Sequence, residues 1–235
     1  YYNIEFLRFA FAICIVYFHL LHSFMMDYTG NADLYIRLAE QSKYAKYIVE
    51  CFFIISGYLL FRKVEEYSKQ VYVGKLKKRW HSLVIPYLSW NVLIVLWNLA
   101  FKLGGILLHG KPWSGFGDYF LQNGCLHMLW DSSVWDERNT WLGVETHNSG
   151  PVLLPFWYMR DLIMMVVLSP AFFWLIKRLR FFFILLLMAV YAFDIRVAWM
   201  SGTFTAAGLF FGCGAYFAIM KQDFTDVLWK WRYAI

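Results

Sequence analysis

Charged residues are scarce in this chain: they make up 16% of its 235 residues, whereas 60% are hydrophobic and 22% aromatic. Soluble domains contain about 25% charged and about 45–50% apolar residues, so the composition excludes an ordinary soluble globular domain. It indicates a membrane protein with several spans. The formal net charge of +6 does not predict nucleic-acid binding, because the basic residues are sorted between loops as membrane insertion requires.

Metal-binding and redox motifs are also lacking. The four cysteines form no C-x-x-C pair, which argues against the usual zinc and redox sites. No metal site is expected from the remaining isolated histidines, His81, His109, His127 and His147. A cleavable signal peptide is not expected either, because the first apolar segment is too long and no small-residue cleavage site follows it.

Six apolar segments predict an all-α fold, a polytopic transmembrane helical bundle. A helix crosses the hydrocarbon core in about 20 residues, and the predicted spans are 4–26, 48–61, about 83–108, about 156–176, about 181–200 and about 202–220. Residues 109–155 form a long connection rich in Gly and Trp, which is more typical of a lid or binding loop than of a plain link.

The basic residues predict the orientation of these spans. The loops after spans two and four and the tail after span six hold 13 Lys or Arg, against 6 in the other loops when Arg196, near the end of span five, is counted with the loop that follows it. By the positive-inside rule the first group faces the cytoplasm. We therefore expect a multi-pass protein of the inner (plasma) membrane, with both ends of this chain cytoplasmic and residues 109–155 extracytoplasmic.

The first apolar segment carries a stripe of ionisable residues, Glu5, Arg8, His19 and His22. At about 100° per residue they fall within an arc of about 100° on one helix face. An ionisable group inside a membrane is costly unless it faces a partner or a wet cavity, so the stripe predicts a functional site. Alternatively, Arg8 snorkels to the headgroups and one His caps a neighbouring helix.

Four local patterns occur together: Arg8 with ten residues before His19, FFIISGY at 52–58, KKRWHSLVIPY at 77–87 and PFWYMRDLI at 155–163. In this order they resemble acyltransferase family 3, the integral-membrane acyltransferases that O-acylate glycans and other acceptors. The resemblance implies that residues 1–235 form one membrane-embedded acyltransferase domain. Members usually have about ten spans of about 20 residues each, so six spans imply a shortened or carboxy-terminally incomplete domain.

The resemblance implies that His19 is catalytic and that Arg8 acts beside it. The chemistry agrees, because imidazole titrates near neutrality and can take the proton of an attacking hydroxyl or receive the acyl group itself. Ser56, Gly57 and Tyr58 match the family's Phe-Phe-x-x-Ser-Gly-Tyr element. They are expected, with His22 and Trp157, to form the wall of the site. Small residues in a membrane helix are, however, also common packing residues.

The basic run of residues 75–79 precedes Pro86 as in the family, where it is associated with acyl-coenzyme A. Lys78 and Arg79, with Arg8, are therefore expected to bind the donor's phosphates. An anchor on anionic lipid would look the same. Ser82 stands where the commoner Arg-x-x-Arg form has its second Arg, which weakens the expectation of a bidentate contact there.

Arg160 and Asp161 match a Trp-x-x-Arg-Asp-like variant of the family pattern. Arg160 is expected to stabilise the developing oxyanion, whereas the alternative is an ion pair that holds helices together. The tryptophans of the outer loop suit sugar stacking or, equally, an interfacial aromatic belt: Trp113, Trp130, Trp135 and Trp141.

The resulting expectation is an O-acetyltransferase that uses cytoplasmic acetyl-coenzyme A as donor substrate and has no bound cofactor. Its acceptor would be a hydroxyl of an extracytoplasmic glycan or lipid-linked glycan. The competing interpretation is a transporter or flippase for a polar lipid or glycolipid, which would show an internal repeat or paired broken helices. No convincing repeat relates residues 1–110 to 111–220. A non-catalytic membrane scaffold is a weaker third interpretation.

Overall fold

A computed structural model describes residues 2–27, 32–110, 112–113, 129–130, 132–141, 144–193, 195 and 204–222. Its helices are α1 (Tyr2–Asp27), α2 (Ala32–Phe61), α3 (Lys69–Arg79), α4 (Ile85–His109), α5 (Trp157–Val167), α6 (Ser169–Leu179), α7 (Phe181–Ala192) and α8 (Phe204–Ile219). A π-helical turn, Trp80–Val84, joins α3 to α4, and a 3-10 turn, Leu154–Phe156, precedes α5. The predicted helical architecture is confirmed for these ranges.

One departure from an all-helical fold lies in the segment predicted as an extracytoplasmic loop. Strands β1 (Ser132–Trp141) and β2 (Val144–Gly150) pair antiparallel, with Trp141 opposite Val144 and an irregularity between Ser132 and Glu137. Tryptophan, valine and threonine favour strands, but the polar residues among them hide the pattern from hydropathy.

The chain divides into two compact units. The first unit consists of residues 1–65, 176–184 and 209–235, and the second consists of residues 66–175 and 185–208. The first therefore contains α1, α2 and most of α8, and the second contains α3, α4, the hairpin and α5.

In the first unit, α2 and α8 approach each other through glycines. A Cβ on Gly57 of α2 would overlap the carbonyl oxygen of Phe211 and lie 3.1 Å from the amide nitrogen of Ala215. A Cβ on Gly214 of α8 would overlap the carbonyl oxygen of Ile54. Small residues that allow such backbone approach are the usual basis of helix packing in membranes.

The helix that contains the second predicted span begins well before residue 48, although its apolar part, Tyr47–Phe61, lies where the span was predicted. Helix α2 begins at Ala32 and continues through the segment predicted as a polar connection. Residues 32–47 contain no Gly or Pro and are mostly good helix formers, so nothing in their local chemistry stops the helix. Hydropathy locates the apolar part of a helix and does not detect the polar turns that precede it.

Pro86 explains the π-helical turn at the start of α4. Proline cannot donate to the carbonyl four residues earlier, and its ring crowds that carbonyl. The backbone responds by widening, so the N–H of Ile85 bonds the carbonyl oxygen of Trp80, five residues back. The Ser82 hydroxyl donates to the carbonyl oxygen of Lys78 at 3.1 Å, an internal bond that also bends helices.

The continuous helix Lys69–His109 is, of the described helices, the one that is both long and apolar enough to cross a bilayer. Only 6% of its most apolar window is buried. Its outer surface therefore suits lipid contact. Shorter apolar helices cover Phe6–Tyr17, Tyr47–Phe61, Phe181–Ala192 and Phe204–Ile219, so the count of six spans stays a prediction.

The fourth predicted span consists of two helices. Helices α5 and α6 are together apolar enough for a span, but they meet at an angle of 61°. Pro170 has no N–H for the carbonyl oxygen of Val166, and the Ser169 hydroxyl donates to that oxygen instead at 2.6 Å. A Ser–Pro pair is thus the local cause of the bend.

Candidate functional site

The residues predicted to be functional are divided between the two units. The first unit holds Arg8, His19, His22 and the stretch 56–58, and the second holds Lys78, Arg79, Trp157 and Arg160.

Helix α1 holds Arg8 and His19 on one unbroken rod. It is helical from Tyr2 to Asp27, so the two residues are separated by about 16 Å along its axis and point in nearly the same direction. Arg8 is exposed and His19 is partly buried. The side chains of Glu5 and His22, which complete the predicted stripe, lie outside the described residues.

The FFIISGY element of α2 contributes to packing and to a cavity. Gly57 is buried against α8, which favours the packing interpretation for this residue. Ser56 is partly buried, and Tyr58, the residue after Gly57, lines a cavity. Neighbouring residues on a helix point about 100° apart, so one short motif serves both purposes.

This cavity has a volume of about 570 Å³ and lies where α2 and α8 end. Its lining includes Tyr58, Arg62 and Lys63 from the end of α2, and Lys221 after α8. The Arg62 guanidinium lies 5.8 Å from the centre of the Tyr58 ring, within the range of a cation–π contact. Sequence analysis did not single out these three basic residues as a site.

Glu65 is the acidic residue in the lining of this cavity. Its carboxylate lies 3.0 Å from the Lys221 ammonium, and both side chains are largely exposed. The hydrogen bond and the charge of Lys221 lower the pKa of Glu65 below its ordinary value, and Lys177 adds to this effect. The carboxylate is therefore ionised at neutral pH and competes for Lys221 with any incoming anion.

In the second unit, Lys77, Lys78 and Arg79 of the basic run lie in the last turn of α3. Lys78 is exposed and Arg79 is partly buried. Ser82 occupies the position where the family pattern has its second Arg, and its hydroxyl donates a hydrogen bond to the carbonyl oxygen of Lys78. A guanidinium fork is thus replaced at this position by a local helix contact.

Arg160 and Asp161 are almost completely buried in α5, with 2% and 1% of their surfaces exposed. Arg160 donates from Nη1 to the carbonyl oxygen of Trp130 at 2.6 Å and from Nε to Asp161 Oδ1 at 3.4 Å. Its guanidinium also lies 5.9 Å from the centre of the Trp130 ring. These contacts tie α5 to Trp130, near the middle of the long segment 109–155.

Two further polar residues hold that segment, and sequence analysis missed both of them. Tyr87 of α4 donates its hydroxyl to the carbonyl oxygen of Leu129. Asn91, fully buried one turn later, accepts from the N–H of Leu153 at 3.1 Å and donates to the carbonyl oxygen of Tyr87 at 2.8 Å. Their signal in the sequence was a polar pair at i, i+4 inside a predicted span.

These contacts fasten both sides of the hairpin to the helices. Leu129 and Trp130 precede β1, and Leu153 follows β2. Buried polar groups almost always have partners, and here the partners are backbone groups 30 to 62 residues away in sequence. We call this set the loop clamp: Tyr87, Asn91 and Arg160.

The bend between α5 and α6 is stabilised by two tyrosines. The Tyr67 hydroxyl lies 2.6 Å from that of Ser169, and Tyr72 donates to the carbonyl oxygen of Val167 at 3.1 Å. Since the Ser169 hydroxyl donates its hydrogen bond to the carbonyl oxygen of Val166, the Tyr67 hydroxyl is the donor to Ser169. Burial is the largest cause of the raised pKa of Tyr67.

Of the outer-loop tryptophans, Trp113 is exposed and Trp130 is partly buried against Arg160. Trp135 and Trp141 lie in β1, and their side chains lie outside the described residues. Trp157 is partly buried at the start of α5. Among the described residues, no group of three or more His, Cys, Asp and Glu is arranged to hold a metal ion.

Comparison with known proteins identifies the family. No curated protein and no solved structure gives a significant match. A family model described as an acyltransferase domain matches residues 1–235, the whole chain. The resemblance to acyltransferase family 3 is thereby confirmed, and the chain belongs to that family of membrane acyltransferases.

Proposed function

We propose that this membrane acyltransferase transfers an acetyl group from cytoplasmic acetyl-coenzyme A to a hydroxyl of an extracytoplasmic glycan or lipid-linked glycan. The chain would span the inner membrane several times, with both of its ends in the cytoplasm. The observation that carries the proposal is the placement of Arg8 and His19 on one continuous helix. Along about 16 Å, such a helix can link a donor on one side with an acceptor on the other.

In this mechanism His19 deals with the proton. The acceptor oxygen attacks the carbonyl carbon of the thioester while the imidazole of His19 takes the hydroxyl proton. The carbon–sulfur bond then breaks, and the proton passes to the departing thiolate of coenzyme A. An alternative order has His19 accept the acetyl group first and then pass it to the hydroxyl.

The other residues would serve binding and charge stabilisation. Arg8 would orient the thioester or contact phosphate, Lys78 and Arg79 would gather the nucleotide, and Arg160 would stabilise the oxyanion. Ser56, Gly57, Tyr58, His22 and Trp157 would form the wall of the site. The bond from Arg160 Nη1 to the Trp130 carbonyl oxygen supports an alternative in which Arg160 positions the loop.

The experiment measures release of free coenzyme A thiol from acetyl-coenzyme A by protein in membranes supplied with cell-envelope glycan. We expect His19→Ala to abolish acceptor-dependent release. His109→Ala is the matched control, because His109 is an exposed histidine at the end of α4. Full activity of folded His19→Ala protein would refute the assignment. Capture of a radiolabelled acetyl group on protein without acceptor would distinguish the covalent order from the direct one.

One observation favours the transporter interpretation, namely the break between α5 and α6. Transporters often carry discontinuous helices, usually one in each repeat. Here the described helices contain one such bent pair, and its carbonyl groups are occupied by Ser169 and Tyr72. A flippase would move fluorescent glycolipid between the leaflets of vesicles without coenzyme A, which a dithionite-quenching assay measures directly.

A further inference from the structure

The cavity at the ends of α2 and α8 has the charge and the volume of a ligand site. Its volume of about 570 Å³ lies within the range of about 300–1,000 Å³ typical of small-molecule pockets. Tyr58 and Phe217 supply aromatic surface, and Arg62, Lys63 and Lys221 supply positive charge.

The charge balance of the lining favours an anion. Three basic residues face one carboxylate, Glu65, which leaves two formal positive charges. The carboxyl ends of α2 and α8 add a partial negative charge of about half a unit each, so about one positive charge remains. Because Arg62 offers a planar fork and the lysines offer flexible ammonium groups, phosphate oxygens suit this set of donors.

The backbone at Lys221 gives an independent reason to expect a function for its side chain. Lys221 has φ of 53°, the left-handed conformation that glycine normally supplies after a helix. Its N–H bonds the carbonyl oxygen of Ala218 at 3.3 Å, so it closes the end of α8. A lysine in this conformation is strained relative to glycine, and it places an ammonium group in the cavity opposite Glu65.

The predicted orientation places this cavity at the cytoplasmic surface, because the segments after spans two and six both belong to the basic group of loops. Phosphate groups there have two sources, the nucleotide end of an acyl-coenzyme A and the headgroup of an anionic lipid. Aromatic surface beside the cations suits a nucleotide base better than it suits a headgroup.

We propose that this cavity binds the phosphate groups of the acyl donor through Arg62, Lys63 and Lys221, and that Glu65 holds Lys221 until the donor displaces it. This inference rests on the proposed function, and it assigns the nucleotide to the first unit instead of to Lys78 and Arg79 in the second. Glu65 is then a competitor of the ligand, so its removal strengthens binding.

The test is titration calorimetry of the full chain in nanodiscs of phosphatidylcholine, with coenzyme A as the probe. We expect the double variant Lys63→Gln, Lys221→Gln to weaken the affinity about tenfold or more. Glu65→Gln should strengthen it about threefold, as expected for removal of one like charge at about 7 Å in a watery site. Lys69→Gln, an exposed lysine outside the cavity, is the matched control and should leave the affinity unchanged.

Three outcomes would overturn the inference. In the first, the protein binds coenzyme A, but Lys78→Gln and Arg79→Gln weaken the affinity and the cavity variants do not. The proposed function would then stand, and the assignment of the cavity would fall. In the second, the native protein does not bind coenzyme A, and the proposed function falls as well. In the third, the cavity variants change only the retention of phosphatidylglycerol, measured by native mass spectrometry, which assigns the cavity to lipid. Thermal midpoints of all variants confirm that they are folded.

Discussion

Replacement of Gly57 by alanine tests the packing of α2 on α8. The added methyl would overlap the Phe211 carbonyl oxygen and crowd the Ala215 nitrogen. Both are backbone atoms, so no side chain can rotate away and the helices must separate by about 1 Å. Overpacking of this kind costs about 1–3 kcal/mol, with the rigid contact placing it at the upper end. Alanine recovers about 1 kcal/mol of helix propensity, so we expect a net loss of about 2 kcal/mol.

Gly208→Ala provides the matched comparison within α8. Among the described residues, no atom lies within 4 Å of a Cβ built on Gly208, so only the propensity gain of about 1 kcal/mol remains. Unfolding in detergent, followed by tryptophan fluorescence, should separate the two variants by about 3 kcal/mol. Equal unfolding free energies for Gly57→Ala and Gly208→Ala would refute the close approach of the two helices.

Three further predictions concern the second unit and the ion pair. Asn91→Ala should cost about 1–3 kcal/mol, because it leaves the partly buried N–H of Leu153 without its acceptor, and it should speed hydrogen exchange of that amide. Ser89→Ala, exposed on α4, is the control. Unchanged exchange of the Leu153 amide in Asn91→Ala would contradict the loop clamp. The pKa of Tyr67 is raised, so the folded state favours its neutral form. The stability that this adds is present below pH about 10 and is lost as pH rises through the raised pKa. Native protein should therefore lose more stability than Tyr67→Phe in this alkaline range, and parallel profiles of stability against pH would contradict the prediction. The pKa of Glu65 is lowered, so the stability added by its ion pair with Lys221 is present above pH about 4 and is lost as pH falls through the lowered pKa. The carboxyl NMR resonance of Glu65 should titrate at lower pH in native protein than in Lys221→Gln. Identical titrations would exclude the ion pair.

Sequence analysis could predict the features that depend on local pattern. The length of α1 and the alignment of Arg8 with His19 follow from helical periodicity alone. The burial of Arg160 and Asp161 follows from the cost of placing charge in lipid. Each of these statements needs only residues within one segment.

Features that join distant segments could not be predicted in this way. Asn91 bonds a backbone group 62 residues away, and Glu65 bonds a lysine 156 residues away. No local propensity determines which segments meet. The bend at Ser169 and Pro170 is different, because the Ser–Pro pair that causes it is visible in the sequence. A hydropathy window measures apolar length and does not report a change in the direction of the helix axis.

The packing of α2 on α8 and the cavity at their ends are physically coupled. Gly57 sets the distance between the helices, and the next residue, Tyr58, lines the cavity opposite Phe217. A separation of about 1 Å at Gly57 would therefore move Arg62 away from Lys221 and widen the site. Since charge-assisted hydrogen bonds weaken steeply beyond about 3.2 Å, Gly57→Ala should lower coenzyme A affinity as well as stability. Gly208→Ala should lower neither the coenzyme A affinity nor the stability. If Gly57→Ala left the coenzyme A affinity unaltered, the cavity would not bind the donor.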